Sequence, residues 1–172
     1  MHKKVFQLIV ENSSGVLSRI SGLFSRRGYN IESITAGVAS PGYTRITIVA
    51  SGDSDILEQI EKQVAKLIDV ISVTELKPED SVYRELLMIK LRVLPEQRAA
   101  LVALTETDVF RANIIDVAPE SMIIELTGTQ SKVDDFIKLV DCYDILEIAR
   151  TGIAGLTRGT DKIVKIEAEE AE

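Results

Sequence analysis

The sequence predicts an α+β protein built as two small domains of the same kind, because one pattern of elements occurs twice. In each half a strand run, a helical apolar stripe, two strand runs, a second helical stripe and a closing strand come in order. A polar break at Lys77-Pro78-Glu79-Asp80 separates the halves. The repeated order β-α-β-β-α-β is that of the split, ferredoxin-like arrangement. The 172 residues are enough for two such domains.

In the first half, Lys4–Val10 is a dense apolar run suited to a central strand. Val16, Leu17, Ile20, Leu23 and Phe24 then keep helical spacing, and Gly28 stands where a left-handed residue ends a helix. Ile31–Val38 reads as a strand and Ser40-Pro41-Gly42 as a turn. Thr44–Ala50 alternates, with Ile46 and Ile48 on one face and Thr47 and Val49 on the other. Gly52-Asp53-Ser54-Asp55 offers cap chemistry for a second helix with the stripe Ile56, Leu57, Ile60, Val64, Leu67, Ile68. Val70–Leu76 closes the unit.

The second half repeats the order. Tyr83–Val93 is a strand, and Pro95 opens a helix running to about Thr107, since proline lacks only an N–H unpaired there. Asn113–Val117 and Met122–Thr127 form a hairpin, and Val133, Phe136, Ile137 and Val140 mark one face of the next helix. Ile145–Thr151 is the last strand. The expected domains are 1–77 and 83–159, with 78–82 as linker and 160–172 as a disordered acidic tail. Each sheet carries helices on one face only, so the other face and the edges need cover. Oligomerisation, or packing one copy on the other, would supply it.

Composition narrows the function classes. The net charge of −7 repels phosphate backbones, so nucleic acid is not an expected partner. No apolar run is long enough to span a bilayer, and the N-terminus enters a strand without a signal-peptide core, so a cytoplasmic location is expected. The single cysteine, Cys142, excludes an intrachain disulfide and reads as filler beside an apolar helix face. The lone histidine, His2, sits at the terminus, which leaves no histidine general base. No catalytic residue is expected, and no metal site. Arg111 and Arg150 flank strands of the second half and are expected in salt bridges to surface carboxylates rather than as an anion site.

The chemistry-bearing stretch is ENSSGVLSRISGLFSRRGYNIES, residues 11–33. A helix start presents unpaired N–H groups and a partial positive charge, which receive a carboxylate. Gly15, Val16 and Leu17 would supply those donors, and the missing side chain of Gly15 lets a ligand reach the backbone. Asn12 could accept a hydrogen bond from an ammonium. An apolar side chain could lie against Leu17 or Ile31. The same residues also read as an ordinary cap, with Ser13 or Ser14 bonded to the helix N–H groups and with Gly28 and Asn30 as turn residues. The matching stretch of the second half, Leu94-Pro95-Glu96-Gln97, has no glycine and carries a proline, so only the first copy offers the site.

Residues 4–76 resemble an ACT domain, a ferredoxin-like module of regulators of amino-acid metabolism. The whole chain to about Gly159 resembles more closely the small, regulatory subunits of acetolactate synthase. The residues 11–33 stretch carries that likeness, with ILEQIEKQVAKLIDVISVTEL (56–76), FRANIIDVAP (110–119) and ARTGIAGLTRG (149–159). The resemblance implies a subunit without catalysis of its own. Its partner would be a large catalytic subunit that carries thiamine diphosphate, magnesium and FAD. It would raise that enzyme's activity and confer feedback inhibition by valine or a related branched-chain amino acid. It further implies a homodimer through the ACT domains. The effector would lie between Asn12, Gly15, Val16 and Leu17 of one subunit and Asn30 and Ile31 of its neighbour.

A free-standing ACT-domain sensor serving another enzyme is the alternative. An acylphosphatase-like enzyme shares the topology but needs an arginine in the loop where this chain has Asn12 to Gly15. A transcription factor with a sensor half needs a helix-turn-helix and a basic face, and neither is present in the sequence.

Overall fold

The computed structural model describes residues 2–160. The chain divides into two compact units: Met1–Val82 together with the segment from Ile153 onward, and Tyr83–Gly152. In the first unit, β1 (His2–Glu11), β2 (Asn30–Ser40), β3 (Tyr43–Gly52) and β4 (Val70–Leu76) form one sheet in the order β2-β3-β1-β4. All three pairings are antiparallel. Helices α1 (Val16–Arg27) and α2 (Ser54–Val64) lie in the β1–β2 and β3–β4 connections. The order places β1 at the centre and makes β2 and β4 the edges.

Hydrophobic periodicity produces this layering. Phe6, Leu8 and Val10 alternate along β1 and meet Ile46, Ile48 and Ala50 of β3. Val16, Ile20, Leu23 and Phe24 of α1, and Leu57, Ile60 and Val64 of α2, close over them. Phe24 also meets Tyr29 edge to face at 5.8 Å. Truncating so deeply buried a ring to alanine costs roughly 3–5 kcal/mol. Gly28 ends α1 in the left-handed region (φ 66), and the Tyr29 N–H returns to the Phe24 carbonyl at 3.0 Å, which pins the chain's turn into β2.

In the second unit, β5 (Ser81–Arg92), β6 (Asn113–Ala118), β7 (Ser121–Gly128) and β8 (Asp144–Arg150) run in the order β6-β7-β5-β8. Helices α3 (Arg98–Thr105) and α4 (Gln130–Leu139) complete it. Leu87, Ile89 and Leu91 point inward from β5 to meet Ile124, Leu126, Val133 and Phe136, while Met88 and Arg92 stay exposed. Phe110 stacks edge to face on Phe136 at 5.1 Å.

Several expectations need correction. Thr47 and Val49 are buried as fully as Ile46 and Ile48, with Gln7 and Ile9 of β1 buried beside them. Helix α2 ends at Val64, so Ile68 falls outside its stripe and is 93% exposed. Asp53 precedes α2 without a side-chain cap bond. Pro95 opens only a 3-10 turn (Pro95–Gln97), and α3 proper starts at Arg98.

The segment 153–160, including a short strand β9 (Ala154–Thr157), groups with the first unit, where the Arg158 N–H donates to the Asp80 carbonyl at 2.7 Å. Ser81, placed in the expected linker, already belongs to β5. Cys142 is exposed rather than packed on a helix face. The expected acidic tail lies, beyond Thr160, outside the described residues. No helix of the described residues is long and apolar enough to cross a membrane.

Candidate functional site

The exit of β1 is fixed by two backbone hydrogen bonds. The Glu11 N–H donates to the Asp69 carbonyl at 2.9 Å, and the Asn12 N–H donates to the carbonyl of Gly42 at 2.8 Å. Gly42 lies in the left-handed region that the tight β2–β3 turn demands (φ 79). Ser13 and Ser14 carry the chain across the surface to Gly15, the residue that opens α1.

Gly15 has φ 84 and ψ −4, a conformation that a β-carbon disfavours. The residue at the cap position is itself a glycine, and among the described residues no side chain, Ser13 and Ser14 included, bonds the first N–H groups of α1. Val16 is buried in the core and anchors the first turn, while Leu17 points outward, 48% exposed. The loop thus offers backbone donors, an exposed asparagine and an exposed leucine at one surface position.

Beside this loop stands a group that the sequence did not reveal. Arg19, one turn into α1, donates from Nε and Nη2 to the two carboxylate oxygens of Asp69, at 2.6 and 2.7 Å. This parallel fork is the strongest geometry available to an arginine–carboxylate pair. Hydrogen bonds from Arg19 hold the Asp69 carboxyl below its usual range, and Asp69 in turn raises Arg19. A β-carbon built on Gly15 would lie 3.1 Å from Arg19 Nη1, so the guanidinium lies against the loop. Fifty residues separate the partners, and no local spacing announces such a pair.

Asn30 and Ile31 lie elsewhere. Asn30 starts β2 and donates from Nδ2 to Ser51 Oγ at 3.0 Å. Ile31 is half-buried against the first core. Asn12 to Leu17 precede or open α1, whereas Asn30 and Ile31 come after its far end. A helix of 12 residues is about 18 Å long, so one chain does not bring the two sets together.

Arg150 and Arg111 are both in salt bridges, although the main partner of Arg150 is a buried carboxylate and not the surface one expected. Arg150 binds both oxygens of the buried Glu85 and also reaches Asp134, at 2.9 Å, while Arg111 pairs with Asp108. No group of three histidine, cysteine or acidic side chains among the described residues is placed to hold a metal ion. What the loop at Gly15 offers chemically is backbone donors beside a cation, an arrangement suited to binding an anion.

Comparison with known proteins agrees with this architecture. Residues 6–72 match the family model of the AHAS small subunit-like ACT domain, and residues 84–159 that of the small subunit of acetolactate synthase. The chain is 47% identical over 161 residues to a probable acetolactate synthase small subunit of Archaeoglobus fulgidus, covering 93% of this chain and 99% of that one. It is 44% identical over 165 residues to the acetolactate synthase isozyme 3 small subunit of Escherichia coli K12, covering 95% and 99%. The crystal structure of the acetolactate synthase small subunit from Thermotoga maritima superposes with a TM-score of 0.84 at 42% identity, covering 94% of this chain and all of that one. With both halves matched in order and at this identity, the chain belongs to the acetolactate synthase small-subunit family.

Proposed function

We propose that this chain is the regulatory subunit of acetolactate synthase, without catalysis of its own, and that valine or a close relative is its effector. It binds a large catalytic subunit, which carries thiamine diphosphate, magnesium and FAD, raises its activity and transmits feedback inhibition. The observation that carries the effector site is the open start of α1, where Gly15 is left-handed and no serine takes the helix amides. The ligand's carboxylate meets those amides, and Asn12 takes its ammonium. Its apolar side chain lies against Leu17 and a neighbouring Ile31. Burying a valine-sized group contributes roughly 1.5–3 kcal/mol, which favours valine over glycine or alanine.

The separation of the two residue sets along α1 supports a site shared by two chains. In a homodimer through the ACT domains, Asn30 and Ile31 at the start of the edge strand β2 come from the neighbour. An effector joining two subunits then favours one relative orientation of them. Coupling of about 1–3 kcal/mol is typical of such linkage and suffices for strong, incomplete inhibition.

The test is acetolactate formation by the cognate large subunit, with and without this chain, across a valine titration. The rate should rise when the chain is added and fall as valine is added. A rate indifferent to the chain overturns the assignment. Co-purification then separates the readings, because recovery of a different enzyme would make the chain a sensor serving that enzyme.

A further inference from the structure

Resting on the proposed effector site, the geometry points to Arg19, held by Asp69, as the group that reads the ligand's carboxylate and makes the site selective for amino acids over their neutral derivatives. The fork to Asp69 uses Nε and Nη2. It leaves one N–H of Nη2 and both N–H donors of Nη1, and Nη1 has no acceptor among the described residues. Nη1 is also the atom nearest to where a β-carbon on Gly15 would sit, at 3.1 Å. The open donors and the side-chain-free loop position therefore face each other.

The guanidinium is positioned before any ligand arrives. The Asp69 side chain is 10% exposed, and its backbone carbonyl holds the Glu11 N–H at the exit of β1. Both ends of Asp69 are fixed, so Arg19 cannot swing away without breaking two charge-assisted hydrogen bonds. Ordering the arginine costs nothing further at binding, which is how a preorganised group gains affinity. A planar guanidinium that already holds one carboxylate along one edge can still donate to a second from its remaining nitrogen. The segment Asn12-Ser13-Ser14-Gly15-Val16-Leu17 contains no acidic residue to compete for it.

A purely structural role is the competing account: the pair would only tie α1 to the segment before β4. The two accounts differ in which ligand feels the loss. Calorimetric titration of the full chain with L-valine and with L-valinamide, whose carboxamide carries no charge, separates them. Wild type should prefer valine by about 100-fold, the scale of a charge-assisted pair beyond a neutral one. Arg19→Gln should weaken valine by about 10-fold or more while leaving valinamide within about twofold. Arg19→Lys, which keeps the charge but has a single nitrogen already drawn to Asp69, should lose most of the same preference and serves if the glutamine variant folds poorly.

Equal weakening of both ligands, or an unchanged preference in both variants, overturns the role of Arg19 alone. Wild-type protein that binds neither compound, nor leucine nor isoleucine, overturns the effector reading on which the role rests.

Discussion

Asn12 and Val93 occupy the same place in their two units, but the loops they lead into differ. Each leaves the central strand and donates its N–H to the turn of the neighbouring hairpin, Asn12 to Gly42 at 2.8 Å and Val93 to Glu120 at 2.9 Å. After Asn12 come two exposed serines, a left-handed glycine and a helix whose first amides meet no side chain. After Val93 the chain closes on itself. The Leu94 N–H goes to Gln97 Oε1 at 3.0 Å, Pro95 has no N–H, and Arg98 bonds the carbonyls of Ala118 and Pro119. The same topology thus yields one self-satisfied loop and one open loop. Under the proposed effector site, recognition would reside in a few unpaired groups at the end of a strand, and the arrangement of strands does not by itself confer it.

The comparison is broken most directly at Gly15. Gly15→Asp places a carboxylate against the position proposed for the ligand's own, and repulsion of several kcal/mol should lower valine affinity by about 100-fold or more. Calorimetry reads that loss, and a circular dichroism melt shows whether the fold survives the strained φ. Affinity equal to wild type would mean the ligand binds elsewhere.

A second test asks whether the other unit has a job independent of the ligand. Its strongest polar feature is Arg150, bound to the buried Glu85. Arg150→Met strands that carboxylate and should destabilise the protein by about 3 kcal/mol in urea denaturation. The double change with Glu85→Leu should recover most of it, because an apolar pair of similar volume is tolerated there. Valine affinity of the singly changed protein should stay within about twofold if the open loop acts locally.

The Arg19–Asp69 pair sets a pH signature. Asp69 has its folded carboxyl held down by Arg19, so its stabilisation is fully present above the unfolded value of about 3.9 and disappears as pH falls through the lower folded value. The stability difference between wild type and Asp69→Asn should therefore be flat from about pH 5 to 8 and narrow only below about 4. Thermal melts across that range test it, and a difference that changes near neutrality would implicate another group.

Glu96→Gly, which imitates Gly15 in the closed loop, should change least. It loosens the 3-10 turn by roughly 0.5–1 kcal/mol and creates no second valine site, because Gln97 and Pro95 still deny the backbone donors. A stoichiometry that rises on calorimetric titration would contradict this account of the closed loop.

Much of the fold was legible because it is written in short-range periodicity. The stripe of Val16, Ile20, Leu23 and Phe24, the left-handed Gly28 and the inward alternation of Leu87, Ile89 and Leu91 each arise from neighbours within a few residues. What escaped depends on distant chain. Alternation puts Thr47 and Val49 on the face that needs cover, and they are buried, but no local spacing says what buries them. Ile68 looks like one more helical position, yet the helix stops four residues earlier. At the loop, the glycine and the serines could be read locally, but whether a serine would cap α1 could not, since cap and ligand site use the same residue types. Nothing near Arg19 in the sequence announces Asp69, which only folding brings beside it.

Asp69 touches three pieces of chain at once: its carbonyl holds the end of β1, its carboxylate holds α1, and its own segment leads into β4. That knot restricts how the protein can be re-engineered. A single residue inserted between Leu67 and Asp69 would move the knot out of reach, whereas surface loops elsewhere accept extra length. Transplanting the loop at Gly15 to a new scaffold therefore means carrying the distant aspartate's segment along with it.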